Sequence, residues 1–285
     1  MSVLAEREAP EKGEETLASL AAQFATDGYA VARRLFTAAE VAEIRDAFMA
    51  QGANGPIEGL SDMSALRGKA ADAADPLAFY PRMMHPHNHP ELPIGSLSRR
   101  YMLDPRLYDY LATFMQEAPV AAQSMFYFKP PGARGQELHQ DNFYLRVKPG
   151  TCYAAWVAID DADEANGGMK VVPGSNGLDI ACPQQADAAR SFTTDYVPVP
   201  EGLEAVPVDL KAGDVLFFNG SVIHGSSPNT SKDRFRRSFI CHYVPEASAE
   251  LAHWYSSLRF DGTPVHIPAA VGGGPCGTAQ PMGPH

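Results

Sequence analysis

The sequence predicts an α+β chain, mainly β, with helices first and a barrel or sandwich of short strands after. Three observations predict it. Apolar residues recur at helical spacing in the first part of the chain. From about residue 120 the texture changes to short β-like runs broken by turn residues. The 285 residues also include 24 glycines and 24 prolines, too few for a disordered chain but suited to one with many turns. Helices followed by strands read as one α+β unit.

The elements follow in chain order. Residues 1–14 are polar and expected to be flexible. From Glu15 to Asp27 the spacing of Leu17, Leu20, Ala21 and Phe24 is helical, and Gly28 ends it. Tyr29-Ala30-Val31-Ala32 reads as a strand. Thr37 with Glu40 is a capping box that opens a helix carrying Val41, Ile44 and Phe48 on one face. Residues 51–75 show no period. A third helix is expected over Arg106 to Met115. Then come strand-like runs at Ala122–Phe128, Tyr153–Ile159, Met169–Val172, Ala205–Leu210, Val215–Asn219 and Ser238–Val244. The expected organisation is a single domain over 1–285, with a helical part over 15–118, a β core over 120–245 and a loose tail over 272–285.

Composition narrows the function. With 23 basic and 34 acidic residues the net charge is −11, which argues against nucleic acid as the partner. No run of about 18 apolar residues exists, so no membrane span is expected. The Glu-rich start, Met1 to Thr16, is not expected to be a signal peptide. Cys152, Cys182, Cys241 and Cys276 form no C-x-x-C pair and are expected to be inert thiols in a reducing cytoplasm. The partner expected is a small-molecule substrate, bound by a cytoplasmic monomer or homodimer.

Two separated segments carry potential metal ligands. In Leu138-His139-Gln140-Asp141-Asn142, His139 and Asp141 lie two apart, so on an extended chain both point to one side, about 7 Å apart at Cα. His224 follows the strand-like run Asp214–Phe218. Two His and one carboxylate occupy one face of an octahedral ion and leave three positions open, as in non-haem Fe(II) oxygenases. Arg234, Arg236 and Arg237 follow, and a guanidinium facing such a cavity can hold a dicarboxylate bidentately.

These residues carry a family resemblance. His139-Gln140-Asp141-Asn142-Phe143-Tyr144 resembles the metal motif of the phytanoyl-CoA dioxygenase family, which includes ectoine hydroxylase. So, in order, do Trp156–Asp163, Asn166–Met169, Val172–Ser175, Lys211–Phe218, His224-Gly225-Ser226 with Asn229, and Arg236-Arg237-Ser238. The resemblance spans about residues 120–245. It implies a double-stranded β-helix (jelly roll, cupin-like) core with N-terminal and flanking helices, and it implies Fe(II), 2-oxoglutarate and O2. By position, His139, Asp141 and His224 resemble the iron ligands. Arg236, rather than Arg237, resembles the partner of the distal carboxylate of 2-oxoglutarate. Ser226 resembles a hydroxyl contact to it, and Trp156 and Gln123 resemble pocket-lining groups. Relatives that halogenate have a small residue in place of the carboxylate, so Asp141 favours hydroxylation or a related oxidation.

The resemblance thus implies a dioxygenase that hydroxylates an aliphatic C–H bond while 2-oxoglutarate becomes succinate and CO2. The alternatives are a jelly-roll metalloenzyme of another class, such as a cupin-type isomerase or a dioxygenase without co-substrate, and a non-catalytic ligand-binding jelly roll. The first does not need Arg236 and Ser226 as a dicarboxylate anchor, and metal analysis separates the second. Phe79–His89, with His85, His87 and His89, is expected to be a loop over the active-site mouth; a second metal there is the weaker reading. No basic patch fits a CoA phosphate.

Overall fold

The structure is a computed structural model, and it describes residues 16–63 and 75–271. Among the described residues, six α-helices and fourteen strands follow in chain order. They are α1 (Leu17–Asp27), β1 (Tyr29–Ala32), α2 (Ala38–Ala53), α3 (Pro76–Phe79), β2 (Met83–Met84), α4 (Pro93–Met102), α5 (Pro105–Met115) and β3 (Pro119–Tyr127). Next are β4 (Gln136–His139), α6 (Asn142–Leu145), β5 (Tyr153–Ala158), β6 (Met169–Val171), β7 (Gln184–Gln185) and β8 (Asp195–Tyr196). The chain continues through β9 (Val206–Val208), β10 (Val215–Asn219), β11 (His224–Ser226), β12 (Ser238–Pro245), β13 (Ser257–Leu258) and β14 (Pro264–Val265).

Local chemistry sets the helix ends. Thr16 caps α1 by accepting from the Ser19 amide, and Gly28 ends it at φ 79°. Thr37 and Glu40 close a complete capping box on α2. Asp104 caps α5.

The strands form a jelly roll. A larger sheet runs β1-β10-β5-β12-β3-β13-β14 with β2 beside β3, and a smaller one runs β4-β11-β6-β9. Alternation then divides the core. On β10, Val215 and Phe217 join the layer under the helices, while Leu216 and Phe218 point between the sheets. Phe239 and Cys241 of β12 face the helices, and Ile240 faces the other sheet. Both faces of the central strands are covered, so they read as continuous apolar runs rather than alternating ones.

Three expectations change. The part over 15–118 holds a second strand besides the expected Tyr29–Ala32: that one, β1, lies at the edge of the larger sheet against β10, and β2, which was not expected, pairs with β3. The sheet also extends past residue 245 through β13 and β14. Cys182 is disulfide-bonded, which corrects the expectation of an inert thiol there, whereas Cys152 and Cys241 are free and buried. Cys276, the start at 1–14, residues 64–74 of the unpatterned stretch 51–75 and the tail over 272–285 lie outside the described residues.

Phe48 of α2 is fully buried and stacks on Phe126 of β3 with ring centroids 4.1 Å apart. Phe48→Ala is expected to cost about 3–5 kcal/mol in denaturant unfolding, because helix and sheet cannot close the cavity independently.

Candidate metal centre and co-substrate pocket

Pairing of β11 with β4 sets His224 directly opposite His139. Asp141 arrives differently from the sequence expectation. Strand β4 ends at His139, and Asp141 is already helical, at φ −61° and ψ −35°, where the chain turns into α6. The turn, not strand alternation, swings its carboxylate back towards the imidazoles. Its Oδ1 lies 3.5 Å from Nε2 of His139 and 3.5 Å from Nε2 of His224. All three residues are buried, and their ligand atoms lie within 4.8 Å of one another.

The hydrogen bonds fix both tautomers. His139 Nδ1 donates to the Glu137 carbonyl at 2.8 Å, and His224 Nδ1 donates to the Val222 carbonyl at 2.9 Å. Both Nε2 atoms are therefore the ones turned towards Asp141. Gln136 Nε2 donates to His139 Nε2 at 3.1 Å, as that assignment requires. Burial, and then the neighbouring His224, lower the His139 pKa. Burial also opposes charge on His224, but the Asp141 carboxylate outweighs it and the pKa is raised. Two imidazole nitrogens and one carboxylate, all buried, suit a ferrous ion and leave one side open.

Behind Asp141 stands a chain of polar groups, of which His242 and Gln123 are buried and His85 half-buried. Its Oδ2 accepts from His242 Nε2 at 2.8 Å. His242 Nδ1 must then be an acceptor, and Gln123 Nε2 donates to it at 2.9 Å. Gln123 Oε1 accepts in turn from His85 Nε2 at 3.0 Å. Gln123 thus sits behind a metal ligand, not among the residues lining the cavity. His242 carries a signal that was available in the sequence: on β12 it shares the face of Ser238 and Ile240. His242→Leu is expected to weaken Fe(II) binding about 10–100-fold, since such groups orient their ligand. Calorimetric titration of the metal checks it, and an unchanged affinity would contradict it.

The cavity beside the triad is lined by Trp156, Met169, Phe218, Ser226, Arg236 and Ile240, among others. Arg236 is buried and lies over the Trp156 ring, 5.2 Å from its centroid. Its Nε donates to the Gly167 carbonyl at 3.1 Å and its Nη1 to Ser238 Oγ at 2.9 Å. Burial lowers its pKa to about 10. Arg237 faces away and forms a bidentate pair with Asp160 at 2.7 and 2.8 Å. Lys129, which sequence reasoning passed over, donates to Ser226 Oγ at 2.8 Å. Gly225 must lack a side chain, because a Cβ there would lie 2.8 Å from the Gln136 carbonyl oxygen of the paired strand.

The Phe79–His89 segment is not a free loop. It pairs through β2 with β3, and its histidines do not converge: His85 bonds Gln123, His87 Nδ1 bonds Ser124 Oγ, and His89 bonds Glu91. Among the described residues only His139, Asp141 and His224 group as metal ligands. Burial, then His85, drives the His87 pKa down to about 3. The unfolded chain takes up this proton below pH about 6.5 and the folded one does not, so stability is full above that pH and falls as pH drops towards 3. His87→Asn is expected to remove roughly 5 °C from the acid-side fall in melting temperature between pH 6.5 and 4.

The sequence model of the phytanoyl-CoA dioxygenase family matches residues 24–238. The chain belongs to the phytanoyl-CoA dioxygenase family. It is 34% identical over 129 residues to "Phytanoyl-CoA dioxygenase" of Arabidopsis thaliana, covering 44% of each chain. It is 29% identical over 134 residues to "Phytanoyl-CoA dioxygenase 1" of Oryza sativa subsp. japonica, covering 47% of this chain and 48% of that one. The chain thus spans about half the length of these curated relatives. Its fold is similar to that of the epimerase SnoN in complex with Fe3+, alpha ketoglutarate and nogalamycin RO, with TM-score 0.62, 22% identity and 93% of each chain covered. The carbocyclase SnoK is similar at TM-score 0.63 and 22% identity, over 83% of this chain and 88% of that one. The cofactor set expected from the sequence, iron with 2-oxoglutarate, accords with the family and with this donor set. No helix among the described residues is long and apolar enough to cross a membrane.

Proposed function

We propose that the chain is a non-haem Fe(II)- and 2-oxoglutarate-dependent dioxygenase that hydroxylates an aliphatic C–H bond of a small molecule. The observation that carries the reading is the pairing of a buried His139–Asp141–His224 donor set with a buried Arg236, on one cavity. When bound, the iron and its 2-oxo acid supply the oxidising power: O2 puts one oxygen atom into succinate and one into product, and CO2 leaves.

The protein's own groups do the rest. His139, Asp141 and His224 hold the metal from one side and leave the other open. Arg236 and Ser226 take the distal carboxylate, and Trp156 walls the pocket against water. Asp141 fills the position that a halide would need, which favours hydroxylation over halogenation. Among the described residues lining the cavity, Arg236 is the one Lys or Arg side chain, so the family's namesake CoA substrate is not carried over.

Anaerobic titration of the Fe(II)-loaded protein with 2-oxoglutarate tests the reading. The weak visible charge-transfer band of the chelate is expected to appear and saturate at one equivalent. Its absence from folded, iron-loaded protein would overturn the proposal.

A further inference from the structure

Lys129 is 4% exposed, yet it forms no ion pair with a carboxylate among the described residues. Burial, and then the neighbouring Arg236, push the Lys129 pKa well down, so an ammonium is costly to hold there. Its surroundings are built to hold it. Lys129 adopts φ 39°, unusual for a residue with a side chain. Its carbonyl accepts from the Arg236 amide at 3.1 Å and from Asn229 Nδ2 at 3.0 Å. Nζ donates to the Gly167 carbonyl at 2.8 Å, the same oxygen that accepts from Arg236 Nε. Gly167, at φ 78°, makes room: a Cβ there would lie 2.9 Å from Nζ. Two buried cations thus converge on one turn, beside the hydroxyl that lines the cavity.

An ammonium has donors and no acceptor. Nζ donates to Ser226 Oγ at 2.8 Å, so in the ammonium form Ser226 Oγ accepts from Lys129 and its own hydroxyl proton is left to be donated elsewhere. Ser226 and Arg236 both line the cavity that holds the metal ligands. We propose that Lys129 is a positioning residue of the co-substrate pocket: it turns Ser226 into a donor towards the distal carboxylate and adds a second buried positive charge behind it. The pocket end is then matched to a dianionic 2-oxo acid and discriminates against one with an apolar tail. Lys129 acts through Ser226 and through its charge, without being a ligand of the metal.

The inference rests on 2-oxoglutarate being the co-substrate, and its test separates the two. Calorimetry under anaerobic conditions compares 2-oxoglutarate with 2-oxobutyrate, which lacks the distal carboxylate, on Fe(II)-loaded wild type, Lys129→Met, Ser226→Ala and the double variant. Lys129→Met is expected to weaken 2-oxoglutarate binding about tenfold, the effect of one lost charge-assisted bond. Binding of Fe(II) and of 2-oxobutyrate should stay within twofold. The double variant should lose less than the product of the single losses, because the two groups act as a unit. An unchanged 2-oxoglutarate affinity, or an equal loss for both acids, would overturn the role and leave Lys129 as a brace for the Gly167 turn. Lys129→Gln, which keeps a donor without the charge, serves if the Met variant does not fold: an intermediate loss confined to 2-oxoglutarate supports the role, and none overturns it. A wild type that binds no 2-oxoglutarate fails the functional proposal instead.

Discussion

Asp141→Ala is expected to give a folded protein that retains no ferrous ion and forms no succinate. The carboxylate is the anion of the donor set, and it stands 3.5 Å from both imidazoles. Without it, two neutral nitrogens remain, with no charge to offset that of the ion. Loss of a supporting group alone lowers metal affinity about 10–100-fold, so loss of the ligand itself should exceed about 100-fold. The same substitution removes the acceptor of the His242 N–H. A buried donor left unpaired costs about 1–3 kcal/mol, so the melting temperature should fall as well. Asp141→Asn separates the two effects. Its amide oxygen can still accept from His242, so stability should return towards wild type, while a neutral ligand leaves iron binding impaired. Metal analysis and thermal melting on the three proteins read this directly. Iron at wild-type stoichiometry in Asp141→Ala would show that the ion sits elsewhere.

How far the sequence foretold this centre depends on the range of the interaction. Features fixed within a few residues were legible. Thr37 with Glu40 marked the start of α2, Gly28 marked the end of α1, and the apolar run Val215–Phe218 marked β10, each because the cause is local. Helix α4 was missed. Its buried face includes Gly95 and Ser98, small residues that break the apolar period, and Leu92 offers no side-chain cap. Strands β13 and β14 were missed because two-residue strands exist only through their partners. In the site, the ligand types were legible, but the reason for Asp141 was not. Alternation placed it beside His139, whereas the turn into α6 does so. Gln123 was expected on the pocket and lies in the chain behind Asp141, since its position depends on His242 across the β3–β12 pair. Lys129 gave no pattern at all: it sits where β3 has ended and the backbone reverses, so neither strand nor helix period applies.

Arg236→Leu is expected to raise the 2-oxoglutarate requirement about 100-fold while Fe(II) binding stays near wild type. The guanidinium is buried, carries no carboxylate partner among the described residues, and is held between Gly167, Ser238 and the Trp156 ring. On the proposed function, removing it deletes a bidentate, charge-assisted contact to the distal carboxylate worth about 2–3 kcal/mol, which is the stated factor in affinity. The loss should not be total, because the Lys129 ammonium still stands behind Ser226. For that reason the rate at saturating 2-oxoglutarate should recover much further than the affinity does. Arg236→Lys should recover only part, since a point charge cannot reproduce the fork that meets two oxygens. Arg237→Ala provides the contrast. It breaks the pair with Asp160 on the opposite side of the strand's start, so it should lower the melting temperature slightly and leave the 2-oxoglutarate requirement within twofold. The reverse outcome, with Arg237 controlling the requirement and Arg236 not, would place the dicarboxylate on the wrong face for the metal. The Arg236 side chain would then be a structural brace between β5 and β12.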